Sequence, residues 1–183
     1  MRIFFFLLIA LSCIACSHTN HFEKEVLIKD KSFQGPVRLE HVEKLGNYKL
    51  SISNSLTGKT DVIYTPYEVF QMETGDINHD GKTDICLGII KPTPFDPVLK
   101  KRLFLFQIDQ DFIRPLWLSS RLVSPMETFE VVHDSTGNYL INTLEKQSKT
   151  FYCRRTYQWK SFGMTYIKTI EDSIPYNKAK SFF

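Results

Sequence analysis

The stretch whose residue types and spacing could do chemistry is Gly75-Asp76-Ile77-Asn78-His79-Asp80-Gly81-Lys82-Thr83-Asp84. Oxygen-bearing side chains recur at every second position, then comes a glycine, then a further carboxylate. Calcium asks for this ligand set, because it is a hard cation that surrounds itself with about six to eight oxygens. A short loop can wrap the ion only where the backbone reverses sharply, and Gly81 supplies a residue free to adopt positive φ. The expected ligands to one Ca2+ are the side-chain oxygens of Asp76, Asn78, Asp80 and Asp84 and the backbone carbonyl of Lys82. Water or a distant residue would complete the shell. The same residues also suit an ion-free acidic turn whose side chains hydrogen-bond to nearby backbone. His79 falls between the ligands and is expected in solvent.

An EF-hand would need a bidentate glutamate at the twelfth loop position, which here is Leu87, and helices on both sides. The flanks instead read as strands. The segment closely resembles the calcium loop of FG-GAP and VCBS-type repeats, where Asp-x-Asn-x-Asp-Gly-x-x-Asp joins two strands of a propeller blade. Asp84-Ile85-Cys86-Leu87-Gly88, an apolar strand with a glycine, extends the likeness. It covers about one blade, residues 67–90, and occurs once, whereas proteins with this repeat usually carry several copies. The resemblance implies one calcium ion and blade-like β structure, in a propeller that is complete or incomplete.

Little else in the chain points to catalysis. His18, His21, His41, His79 and His133 lack metal-ligand spacing, and no serine sits in a Gly-x-Ser-x-Gly elbow. Glu127 and Glu130 are a carboxylate pair of the kind a glycosidase uses, although such pairs are mostly surface solvation. Trp117, Trp159, Phe104, Phe106, Tyr157 and Phe162 are read as core aromatics at strand spacing, the alternative being a sugar-stacking surface. Cys86 and Cys153 are either a disulfide or two buried thiols.

The elements that would position the loop are strands. Apolar and polar residues alternate over Tyr48–Ile52, a turn follows at Leu56-Thr57-Gly58-Lys59, and Asp61–Tyr64 returns, which together predict a hairpin. Strands are likewise expected near Glu25–Ile28, at Tyr67–Met72 and Ile85–Ile90 beside the acidic loop, and at Leu103–Ile108 and Phe112–Trp117. Pro115 marks the last of these as an edge or a bulge. Four more follow, at Thr128–His133, Tyr139–Leu144, Thr150–Trp159 and Met164–Ile170. No dozen residues hold a helical period. The expected fold is all-β, an antiparallel meander with β-propeller-like blades. A faint echo links Gly46-Asn47-Tyr48 with Gly137-Asn138-Tyr139.

Residues 1–15 carry one positive charge, an apolar run from Ile3 and small residues before Cys16. That run is too short to span a bilayer and reads as a secretory signal. Cys13-Ile14-Ala15-Cys16 resembles the lipobox of bacterial lipoproteins, in which the last cysteine bears the lipid; Cys13 stands where leucine is usual and is a second candidate. The resemblance implies lipidation of Cys16 and a membrane partner through that anchor. Ser17, in place of aspartate, favours the outer membrane, with the periplasmic face weakly preferred. The expected organisation is a signal at 1–15, a polar tether at 16–31 and a single β domain at 32–183. Basic and acidic residues nearly balance, 23 against 20, which gives no push toward nucleic acid. The resulting expectation is a lipid-anchored, calcium-stabilised, non-catalytic β module for binding or structural work at the cell envelope, its partner an envelope protein or a glycan. The alternative is a small lipid-anchored glycan hydrolase.

Overall fold

The chain forms twelve antiparallel strands among the residues described by the structure, a computed structural model covering 21–43, 47–94, 96–118 and 122–182. The first sheet contains β1 (Lys24–Lys29), β2 (Gln34–Val42), β3 (Asn47–Asn54) and β4 (Lys59–Thr65). The middle sheet contains β5 (Glu68–Gly75), β6 (Asp84–Thr93), β7 (Asp96–Asp109) and β8 (Phe112–Leu118). The third contains β9 (Met126–His133), β10 (Tyr139–Lys146), β11 (Phe151–Lys160) and β12 (Gly163–Pro175). Within each sheet the strands pair in chain order, so each is a four-stranded meander. A single helical turn, α1 (Tyr176–Ala179), continues into a 3-10 turn at Lys180–Phe182.

Side-chain alternation in the middle sheet explains how the sheets associate. Ile85, Leu87 and Ile89 of β6 and Phe104, Phe106 and Ile108 of β7 point to one face, where they pack with Val37, Leu39, Leu50 and Ile52 of the first sheet. Cys86, Leu103 and Leu105 point to the other, against Met126, Phe129 and Ile141 of the third. A strand buried on both faces has no polar side to alternate with, and residues Asp84–Ile89 are accordingly all buried. Gly88 leaves room for Phe70, whose ring would lie 2.6 Å from a β-carbon placed there. Leu144, Tyr152, Ile174 and Ala179 form a smaller cluster that docks the C-terminal turn on the third sheet. No core cluster of the described residues joins the first sheet to the third, and the sheets do not close into a ring.

β1 begins inside the segment expected to be tether, pairing Lys24–Lys29 with Gln34–Leu39. β2 was not among the expected strands. It is a central strand, and Gly35-Pro36 at its start disguises it as a loop. Pro115 lies in β8, which is both an edge strand and irregular in register opposite Leu105 and Phe106. The echo between Tyr48 and Tyr139 does not mark equivalent positions, because Tyr48 is in the third strand of its sheet and Tyr139 in the second. Gly46, and the N-terminal segment with Cys16 and His18, lie outside the described residues.

Candidate functional site

The expected calcium loop joins β5 to β6, and two buried side chains seat it. Ile77, fully buried, inserts into the core shared by the middle and third sheets, a burial that contributes about 1.5–3 kcal/mol. Asp84, the first residue of β6, is also fully buried. Its Oδ2 accepts hydrogen bonds from the backbone amides of Ile77 and Asn78 at 2.9 and 3.2 Å. Its Oδ1 is buried with no hydrogen-bond partner.

The other expected ligands line the turn above it. Asp76 accepts from the amides of Asp80 at 3.0 Å and Gly81 at 2.9 Å. Asn78 Oδ1 accepts from Asp80 N at 3.1 Å, and Asp80 accepts from Lys82 N at 2.9 Å and from Asn78 Nδ2 at 3.2 Å. Two residues with positive φ, His79 at 62° and Gly81 at 82°, reverse the chain. His79 is exposed. Lys82 directs its ammonium outward to Asp109, 3.6 Å away. The carboxylates are thus turned to backbone amides, and no group of three or more His, Cys, Asp or Glu among the described residues is drawn together as a metal cluster.

Electrostatics single out Asp84. Burial pushes its carboxyl up to about 7, against the lowering effect of the two backbone hydrogen bonds, and the nearby charges of Asp80 and Asp76 push the same way. A buried oxygen without a donor is costly, and like charges around it add to the cost. A divalent cation in the loop would relieve both. The donors are all oxygens, which suits calcium and not a thiolate- or imidazole-preferring metal. Asp76, Asn78, Asp80, Asp84 and the carbonyl of Lys82 are therefore chemically fit to hold the ion.

Asp30, which sequence reasoning passed over, closes the loop from the first sheet. Its Oδ2 accepts from Thr83 N at 2.9 Å, while Oδ1 accepts from the amides of Ser32 and Phe33, each at 2.8 Å. Burial acts to raise its pKa, but these hydrogen bonds outweigh it and hold the carboxyl below its ordinary value. Asp30, Asp76 and Asp134 each immediately follow the first strand of their sheet, and each carboxylate caps amides of the turn it opens. That common position is a regularity of the three sheets. In the sequence, only the Asp-x-Ser and Asp-x-Thr turn signals at Asp30 and Asp134 hint at it.

The remaining candidates fall elsewhere. Cys86, on β6, and Cys153, on β11, are both buried and both free; burial raises each thiol, Cys153 to about 11. Glu127 is paired with Lys101 at 3.2 Å and Glu130 with Arg154 at 2.7 Å. Phe104, Phe106, Trp117 and Tyr157 are buried in the core, Trp159 packs against it, and Phe162 is exposed. A cleft of about 920 Å³ lies between the β6–β7 hairpin and the segment entering β9, and its lining includes one carboxylate, Asp96, which is paired with Lys100 and Arg102, each at 3.0 Å. No helix of the described residues is long and apolar enough to cross a membrane.

No protein-family model matches the chain, and neither does any curated protein or any solved structure.

Proposed function

We propose that the chain is a non-catalytic β module stabilised by one calcium ion and held on the bacterial cell envelope by lipid on Cys16, where it serves binding or structural work. The observation that carries the calcium part is the unpartnered, buried Oδ1 of Asp84 beneath a turn of oxygen donors. A protein that buries a carboxylate oxygen without a donor carries a cost, and a bound cation removes it. Ion binding to the folded chain alone then raises stability by mass action.

The three stacked meanders are read as blades of propeller type, with the calcium loop joining the first two strands of the middle one. Support comes from the sequential stacking of the sheets and from the aspartate that opens the same turn in each. The anchor rests on the residues before the domain, Cys13 to Cys16. Acyl chains contribute roughly 0.8 kcal/mol per buried methylene, so a multiply acylated cysteine holds without any membrane span.

A hydrolase would need two carboxylates facing one cleft, about 5–10 Å apart. The large cleft offers Asp96 alone among its described lining residues, so no specific observation favours that reading.

Two measurements test the proposal. Equilibrium dialysis should give one calcium ion per chain in the wild type and none in Asp84→Asn. Expressed in a bacterium, the full chain should sediment with membranes and take up labelled palmitate, and Cys16→Ser should lose both properties. Zero calcium bound, or unchanged palmitate labelling in Cys16→Ser, would refute the corresponding half.

A further inference from the structure

The 920 Å³ cleft adjoins a second cavity of about 190 Å³, and the two share the side chains of Lys91, Phe104 and Leu118. Their chemistry differs. The large cleft is lined by Lys91, Lys100, Lys101 and Arg102. The smaller one opens between the first and middle sheets and is walled by apolar residues such as Leu50, Ile63 and Ile89.

Among the described residues, charge in the large cleft does not balance. Lys100 and Arg102 share one carboxylate, Asp96, and Lys101 meets Glu127. Lys91 has no carboxylate partner among the described residues; its ammonium lies over the rings of Tyr67 and Phe104, 4.9 and 5.2 Å from their centroids. Among the described residues, the four cations of the lining thus meet two carboxylates, and Lys91 stands where the charged cleft meets the apolar one. Cation–π contact holds an ammonium in place without neutralising it. The volume of the larger cleft falls in the range of small-molecule sites, roughly 300–1,000 Å³. Exposed apolar side chains, Leu118 and Val123, border it.

We infer that the joined cavities bind an anionic amphiphile, its negatively charged head against Lys91 and the neighbouring cations and its aliphatic chain between the first and middle sheets. Head and chain each match one cavity, and Lys91 sits at the junction where a head meets its chain. The inference is independent of the calcium loop, which lies at the opposite end of β6 from Lys91.

The test is calorimetric titration of the full chain carrying Cys16→Ser, with three probes below their micelle concentrations. Dodecanoate should bind one per chain. Dodecyltrimethylammonium, with the same chain and the opposite charge, should bind at least tenfold more weakly, and acetate should show no binding. Lys91→Gln should weaken dodecanoate at least tenfold, and Leu118→Asn should weaken it less. The comparison of heads needs only the wild-type side chains, so it stands even where a variant folds poorly. Absence of dodecanoate binding, equal affinity for the two heads, or full affinity in a folded Lys91→Gln protein would each overturn the inference.

Discussion

Two buried carboxylates, Asp84 in the middle sheet and Glu145 in the third, have opposite surroundings. Glu145 is fully buried on β10 and every oxygen is satisfied. Oε1 accepts from the hydroxyls of Thr143 and Tyr157, each at 2.7 Å, and Oε2 accepts from Ser124 N at 2.7 Å and from the guanidinium of Arg155 at 2.6 Å. Asp84 has two amide donors on one oxygen, none on the other, and aspartates for neighbours. The protein meets the cost of burying Glu145 with its own donors and a counter-charge, and that network ties the segment entering the third sheet to β10 and β11. At Asp84 it provides neither the counter-charge nor the last donor. On the proposed function, the difference separates a carboxylate that serves the fold alone from one that a calcium ion would complete.

The sharpest way to break the comparison is to remove each acid in turn. Glu145→Ala leaves the Arg155 guanidinium without its carboxylate, holding only the Ser124 hydroxyl at 3.2 Å, with its side chain 10% exposed, and losing one member of a buried pair costs about 3–5 kcal/mol. Urea unfolding should record that loss equally with calcium and with chelator. A loss under about 1 kcal/mol would mean that the network relaxes around the deletion.

Asp84→Asn should behave in the opposite sense. In chelator the wild-type carboxyl titrates near 7 when folded, well above its ordinary value of 3.8, so the unfolded chain ionises first. Stability from this group is therefore present in acid and falls as pH rises from about 4 to 7, at roughly 1.4 kcal/mol per pKa unit of difference. The asparagine variant should lack that fall and, by urea unfolding in chelator at pH 8, should be more stable than the wild type by about 1 kcal/mol or more. It should gain nothing from calcium. A variant less stable than the wild type in chelator at pH 8 would show that the Asp84 charge is already compensated without an ion.

A smaller effect is expected at Asp30. Asp30→Ala strips acceptors from the amides of Ser32, Phe33 and Thr83 and should cost about 1 kcal/mol, as for loss of a capping acceptor. Because the Asp30 carboxyl is held below its ordinary value, its contribution is present at neutral pH and is lost as pH falls through that lowered pKa. Wild type and variant should therefore converge in stability in strong acid, as measured by urea midpoints across pH. The variant should keep its calcium response.

The sequence disclosed strands better than it disclosed their partners. Alternation marked β3, whose Tyr48, Leu50 and Ile52 are all buried, and apolar segments between turn signals marked β4 to β12, while the burial of β6 on both faces depends on sheets that the segment does not itself specify. β2 escaped because Gly35 and Pro36 are loop residues by local preference, whereas Val37 and Leu39 are buried through pairing with strands on both sides. For the loop, the reversal at Gly81 and the exposure of His79 were legible, since these are properties of adjacent residues. The burial of Asp84 was not, because it depends on Ile77 reaching the third sheet. Nor was the link from Asp30 to Thr83, which crosses 53 residues. Glu145 is hidden in the same way, its donors arriving from Ser124, Arg155 and Tyr157 on separate segments.

The most direct measurement is thermal unfolding of residues 17–183 with calcium and with chelator, beside an Asp80→Ala variant. The expected result is a rise in midpoint with calcium, roughly 2–4 °C for each kcal/mol that binding adds to a domain of this size, absent from the variant. Coincident wild-type curves in calcium and chelator would contradict it and leave the acidic turn held by its own hydrogen bonds alone.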